Sequence, residues 1–164
     1  MLIRTLLVSF ACTLMFGCAS SSKSGSVYNQ AEANVIKGKH WLTMNLNRKG
    51  VVATDSGLQY KILEQSDGCK PDPDYRVTVH YKMLSASSKQ IIDSSYKRGK
   101  PSKFQLSKMI KGWSEGVPMM RVGETWEFYI PPHLGYGSKG SPGLVAPNSV
   151  LISEIRLVDA RCQD

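Results

Sequence analysis

Few residues in this chain carry reactive chemistry of their own. The three histidines, His40, His80 and His133, stand in unrelated contexts. None belongs to a Gly-x-Ser-x-Gly or Cys–His arrangement for nucleophilic catalysis. His80 falls on the polar face of an alternating run, opposite Tyr81, and reads as a solvent-facing side chain. Gly135-x-Gly137-x-x-Gly140 matches a dinucleotide-binding string, but it follows Pro131-Pro132 and opens no helix, so the phosphate-cradling context fails. There is no Walker loop, and no cysteine or histidine spacing fits a metal site. What remains is an aromatic set beside turns: Tyr81, Trp113 and Tyr136, accompanied by Ile92, Met109, Ile110 and Leu144. Such a set, with few polar groups, has the profile of an apolar binding pocket. From pattern alone a buried core fits these residues better than a pocket does.

The elements that must position these residues change period along the chain. Residues 31–47 place Val35, Ile36, Trp41, Leu42, Met44 and Leu46 at helical intervals, which predicts a short amphipathic helix stopped near Gly50. Beyond a turn at 54–57 the period becomes two. Leu58, Tyr60 and Ile62 alternate with polar residues, and Val77, Val79 and Tyr81 share one face of the next strand. Residues 89–95 form a short strand running into a loop, and 110–117 are long enough for two helical turns before Pro118. Trp126, Phe128 and Ile130 line one face of a further strand. A Gly/Pro-rich excursion follows, and the last strand carries Leu151, Ser153, Ile155 and Leu157 on one face. The expected fold class is α+β: an antiparallel sheet of about five strands wrapped around one short helix, with a short helical N-terminal extension.

Composition bounds the class. The 164 residues are 41% hydrophobic and 21% charged, the range of one ordinary globular domain. Twenty-one Lys and Arg against 13 Asp and Glu give +8, spread without any run of five like charges. That reads as a solvated basic surface, with no nucleic acid as partner. The N-terminus has one positive charge, Arg4, and then an apolar stretch too short to span a bilayer, the pattern of a secretory signal over 1–17. Residues 14–18, ending Gly17-Cys18, resemble a bacterial lipoprotein processing site, in which Cys18 would carry the lipid and Ala19 would direct the protein to the outer membrane. Acyl chains there would anchor the chain to a membrane through residues 18–27, a flexible serine-rich linker. Cys12 would leave with the signal, so Cys69 and Cys162 remain, and an oxidising envelope compartment favours a disulfide.

The order of short motifs resembles one family. Val79-His80-Tyr81, Asp93-Ser94-Ser95, Gly112-Trp113-x-Glu115-Gly116, Met120-x-Val122-Gly123, Leu134-Gly135-Tyr136-Gly137 and Pro147-Asn148 match FKBP-type peptidyl-prolyl isomerases in sequence and spacing. Residues 50–63 and 125–127 look like the bacterial Mip-type branch, whose long dimerising arm is shortened here, so a monomer is expected. The resemblance divides the chain into a signal (1–17), a linker (18–27), a helical extension (28–50) and an isomerase domain (51–164).

The resemblance implies an enzyme that isomerises the peptide bond before proline in exported polypeptides, with no cofactor and no metal. Trp113 would form the pocket floor, with Tyr81, Met109 and Ile110 as walls. The Ile110 N–H and the Tyr136 hydroxyl would hold substrate carbonyls, Asp93 would lie near the rotating carbonyl, and Arg98 would brace Asp93. Leu144 would sit on a loop closing over the site. Three positions depart from the family pattern: Ile92 and Ser102 where aromatics are found, and Ser153 where the last strand usually has phenylalanine. A buried, unpaired Ser153 hydroxyl predicts a wider, wetter pocket and reduced turnover. The alternative is a non-catalytic module that grips proline-containing segments. The fold so implied also brings Cys69 and Cys162 to one sheet end, where they would pair.

Overall fold

A computed structural model describes residues 23–162, with side chains from Gln30 onward. The expected signal at 1–17 and Cys18, the expected lipid site, lie outside the described residues. The chain opens with helix α1, Lys23–Leu46. It therefore starts inside the segment expected to be a flexible linker: 23–27 are helical backbone. Once a helix is nucleated, each added residue contributes a hydrogen bond for one fixed residue, so α1 extends back through residues of poor intrinsic propensity.

Among the described residues seven strands follow, against the roughly five expected: β1 Val51–Ala53, β2 Gln59–Glu64, β3 Arg76–Ser85, β4 Ile91–Ser94, β5 Ser102–Gln105, β6 Thr125–Ile130 and β7 Leu151–Ala160. The extra two, β1 and β5, have three and four residues. That is too short to display a period of two, and their pairing partners define them. The sheet order is β1-β2-β6-β7-β3-β4 with β5 also on β3, and every pairing is antiparallel. The architecture is the α+β class expected, a sheet wrapped around the short helix α2, Lys111–Gly116.

The alternation of β3 explains the wrapping. Val77, Val79, Tyr81 and Met83 point inward and are buried, as are Leu151, Ile155 and Leu157 of β7 and Trp126, Phe128 and Ile130 of β6. Helix α2 sits on this face at close range. A Cβ on Gly112 would stand 2.8 Å from the Ile130 side chain, and one on Gly116 2.4 Å from the Phe128 ring. Only glycine permits that approach, and it sets the height of Trp113 above the sheet.

The opposite face is covered as well. Tyr129, Val150 and Ile152 form a second cluster with Ala86, against which Trp41 and Leu42 of α1 pack. The Trp41 and Tyr129 rings lie 5.7 Å apart. Two buried amides join helix to sheet: Asn45 Nδ2 donates to Gln59 Oε1 at 2.9 Å, and Gln59 Nε2 to the Leu42 carbonyl at 3.0 Å. Cys69 and Cys162 are disulfide-bonded with their Cα atoms 5.6 Å apart. Beside them the Asp72 N–H donates to the Arg161 carbonyl at 2.8 Å. Among the described residues no helix is long and apolar enough to cross a membrane.

Candidate functional site

β3 and β4 bring together the polar half of the site. Asp93 pairs across from Met83, beside Tyr81 on β3. The Tyr81 hydroxyl donates to Asp93 Oδ2, and Arg98 Nη1 donates to Oδ1 at 2.5 Å. The Ser94 N–H donates to the same Oδ1 at 2.7 Å. Arg98 Nη2 closes the network, donating to the Tyr81 hydroxyl at 2.8 Å and to Ser102 Oγ at 3.3 Å. Arg98 is delivered by a 3-10 turn, Tyr96–Arg98, that ends on Gly99 in the left-handed conformation (φ 68°). Partial burial pushes the Asp93 carboxyl up, but the Tyr81 hydroxyl, the Arg98 guanidinium and the Ser94 N–H outweigh it and hold it below the ordinary carboxylate range. Burial, joined by the bond to Asp93, raises the Tyr81 hydroxyl. Asp93 is thus a fixed anion and Tyr81 a fixed neutral donor, an arrangement suited to orienting a dipole rather than to passing protons.

The apolar half is a cluster of three rings. Trp113 meets Tyr81 edge-on at 5.1 Å and Phe104 edge-on at 5.6 Å, and Tyr81 and Phe104 are 5.6 Å apart. These T-shaped contacts match the edge-to-face preference of aromatic quadrupoles. Phe104 is a site residue that the sequence reading missed: it lies on four-residue β5, where the other inward position is Ser102 and a single apolar residue leaves no pattern to detect. Met109 and Ile110 are half-buried against the same cluster. Ile110 caps α2, its carbonyl accepting the Trp113 N–H at 2.9 Å, while its own N–H meets no acceptor among the described residues.

Ser153 departs from expectation. Its hydroxyl is fully buried and paired, accepting the Trp113 indole N–H at 3.2 Å. Among the described residues no buried side-chain polar atom lacks a partner. The hydroxyl expected to be unpaired is therefore satisfied, and the floor is closed to solvent: Trp113 is 1% exposed and Ser153 0%. Four surface hollows of about 250–430 Å³ lie along α1 and the 138–150 loop, and Trp113 lines none of these four. Leu144 is 64% exposed on that loop and shares a hollow of about 250 Å³ with Ile92, a hollow that Trp113 does not line. Tyr136 is 38% exposed at the start of the same loop. His80 is half-buried rather than free in solvent, stacked on Tyr96 at 4.8 Å with Nδ1 3.1 Å from Ser95 Oγ. The structure therefore joins Tyr81, Asp93, Arg98, Met109, Ile110, Trp113 and Ser153 in one place, with Ile92 packed on the same core and Leu144 reaching it only through the hollow shared with Ile92.

A sheet folded round a short helix, with a tryptophan, an ion-paired aspartate and an unspent N–H at one spot, defines a class that comparison makes specific. The family described as FKBP-type peptidyl-prolyl cis-trans isomerase matches residues 68–158, and its associated amino-terminal domain matches 16–62. The chain belongs to this family, as the six motifs implied. It is 41% identical over 130 residues to the peptidyl-prolyl cis-trans isomerase Mip of Coxiella burnetii, covering 78% of this chain and 55% of that protein. It is 38% identical over 141 residues to the outer membrane protein MIP of Legionella longbeachae, covering 86% and 60%. The crystal structure of FkpA from Escherichia coli superposes with a TM-score of 0.77 at 35% identity, over 83% of this chain and 63% of that one. The chain spans a little over half the length of the curated relatives it matches.

Proposed function

We propose that the chain is a peptidyl-prolyl cis-trans isomerase acting on proline-containing segments of exported polypeptides. X-Pro bonds cross a barrier of about 18–20 kcal/mol set by amide resonance, and at its top the amide is twisted and less dipolar. The apolar wall of Tyr81, Phe104, Met109, Ile110 and Trp113 would exclude water from the planar amide and favour the twisted form. The Ile110 N–H and the Tyr136 hydroxyl would hold the flanking carbonyls. Asp93, kept ionised and braced by Arg98, would face the rotating carbonyl. The observation that carries the reading is the unspent Ile110 N–H, held on the helix turn that also positions Trp113 and beside the Tyr81–Asp93–Arg98 network.

A protease-coupled assay on short Ala-Pro peptides tests it. Wild type accelerates isomerisation, and Asp93→Ala and Tyr136→Phe each lower kcat/KM by about tenfold, roughly 1.4 kcal/mol of transition-state stabilisation. Rates at the uncatalysed background for wild type would overturn the assignment.

The 1% exposure of Trp113 favours a second reading, a module that grips proline segments on the rim without turnover. Peptide binding retained by all three proteins, with background rates throughout, would establish it. The similarity to a relative named for the outer membrane, together with Gly17-Cys18, supports an envelope location with lipid on Cys18, the protein facing the periplasm. Mass spectrometry of the membrane-extracted chain would show diacylglycerol on Cys18. We take the isomerase to be monomeric and to comprise 51–164, with 28–50 as its extension.

A further inference from the structure

The excess of basic residues is not evenly placed. Residues 96–111 contain six basic side chains and no acidic one, and this segment forms the rim of the site. Lys108 and Lys111 stand within two residues of Ile110, whose N–H is unspent, and Lys97 and Lys100 within two residues of Arg98, which touches Asp93. All four lysines are exposed. Among the described residues the ion pairs are Lys82–Glu154 and Arg98–Asp93, so none of the four is neutralised. The one acidic group inside this rim, Asp93, is already held by Arg98. Glu115, a turn along α2 from Lys111, is instead bonded to the hydroxyls of Thr54 and Ser56 at 2.7–2.9 Å. Lys103 does not belong to the patch: it occupies the opposite pleat of β5 from Phe104, which faces the indole.

We propose that this lysine rim selects acidic polypeptides, so that the site prefers prolines flanked by Asp or Glu. The inference rests on the isomerase reading above. An acidic segment is favoured over an anionic membrane because the exposed lysines are chain neighbours of Arg98 and Ile110, at the groups that would hold the substrate. A membrane lying on them would cover the entrance. Lysines spaced around a pocket raise the local concentration of an oppositely charged chain, and salt screens the attraction over about 10 Å at 0.1 M and about 3 Å at 1 M.

The experiment compares Ala-Pro peptides flanked by Glu, Ala or Lys, using the full chain and exchange NMR, at about 0.02 M and about 0.5 M salt. The expected result is a kcat/KM at least about fivefold higher for the Glu-flanked than for the Lys-flanked peptide at low salt, converging at high salt. A variant combining Lys97→Gln, Lys100→Gln, Lys108→Gln and Lys111→Gln loses that preference while keeping the wild-type rate on the Ala-flanked peptide. Equal rates for the three peptides at low salt, or a preference that survives in the variant, would overturn the proposal. So would wild type, but not the variant, sedimenting with phosphatidylglycerol vesicles while showing no peptide preference. If the Ala-flanked peptide itself is not accelerated, the isomerase reading has failed separately. Fluorescence anisotropy of the labelled Glu-flanked peptide then decides the rim alone: tighter binding that the variant loses supports it, and equal binding refutes it.

Discussion

The Trp113 indole has one donor, and burial makes its acceptor obligatory. Ser153 supplies it at 3.2 Å with both side chains covered. Replacing Ser153 by Ala would strand a buried N–H, which costs about 1–3 kcal/mol; urea unfolding would show this as a lower midpoint with an unchanged slope. Ser153→Thr, which restores the hydroxyl, should recover most of it. An unchanged midpoint in Ser153→Ala would mean that the pair contributes nothing. Asp93 presents a different balance, since its partners outweigh partial burial and its carboxyl titrates below the ordinary range. A group whose folded pKa is depressed contributes stability above its unfolded pKa, near 3.9, and loses it as pH falls through the folded value. The Tyr81–Asp93–Arg98 network should therefore stay intact through neutral and weakly acidic pH. NMR shifts of the Asp93 carboxyl carbon should be flat from about pH 7 to 5 and move only below the usual Asp range. Movement near pH 6 would contradict the arrangement.

At the level of elements, α2 is placed by two glycines and α1 by two amides. The first pair fixes the height of the indole over Phe128 and Ile130, and the second ties the N-terminal helix to β2. Asn45 Nδ2 donates to Gln59 Oε1, so removing Asn45 leaves that buried oxygen without its donor while Gln59 Nε2 keeps the Leu42 carbonyl. Asn45→Ala should cost about 1–3 kcal/mol, read by thermal unfolding, and should loosen α1 in hydrogen exchange more than it loosens β7. Equal loosening of both would show that α1 and the sheet unfold as one unit. The same bonds explain why the boundary between residues 28–50 and 51–164 is no loose junction: Trp41 and Leu42 of the helix pack on the core of the outer sheet face.

Over the whole molecule, the Cys69–Cys162 bond closes a loop of 93 residues and holds the β2–β3 connection to the end of β7. Constraining the unfolded chain over that span is worth about 4–5 kcal/mol in the chain-entropy account. Reduction with dithiothreitol should lower stability by an amount of that order, and an unchanged unfolding midpoint would show that the bond adds nothing. The sequence by itself determined the α+β class, the inward rows of β3, β6 and β7, and the family, because periodicity and motif order are local and survive in one dimension. It also marked Tyr81, Asp93 and Trp113 through those motifs, and Ile110 through the resemblance that they carry. β1, β5 and Phe104 were illegible because strands of three or four residues have no period and exist only through their partners. The Ser153–Trp113 hydrogen bond joins residues 40 apart in the chain. Only the fold decided that a hydroxyl which looked unpaired in the sequence would meet the indole, because a donor and an acceptor carried on separate elements meet only when packing brings those elements together.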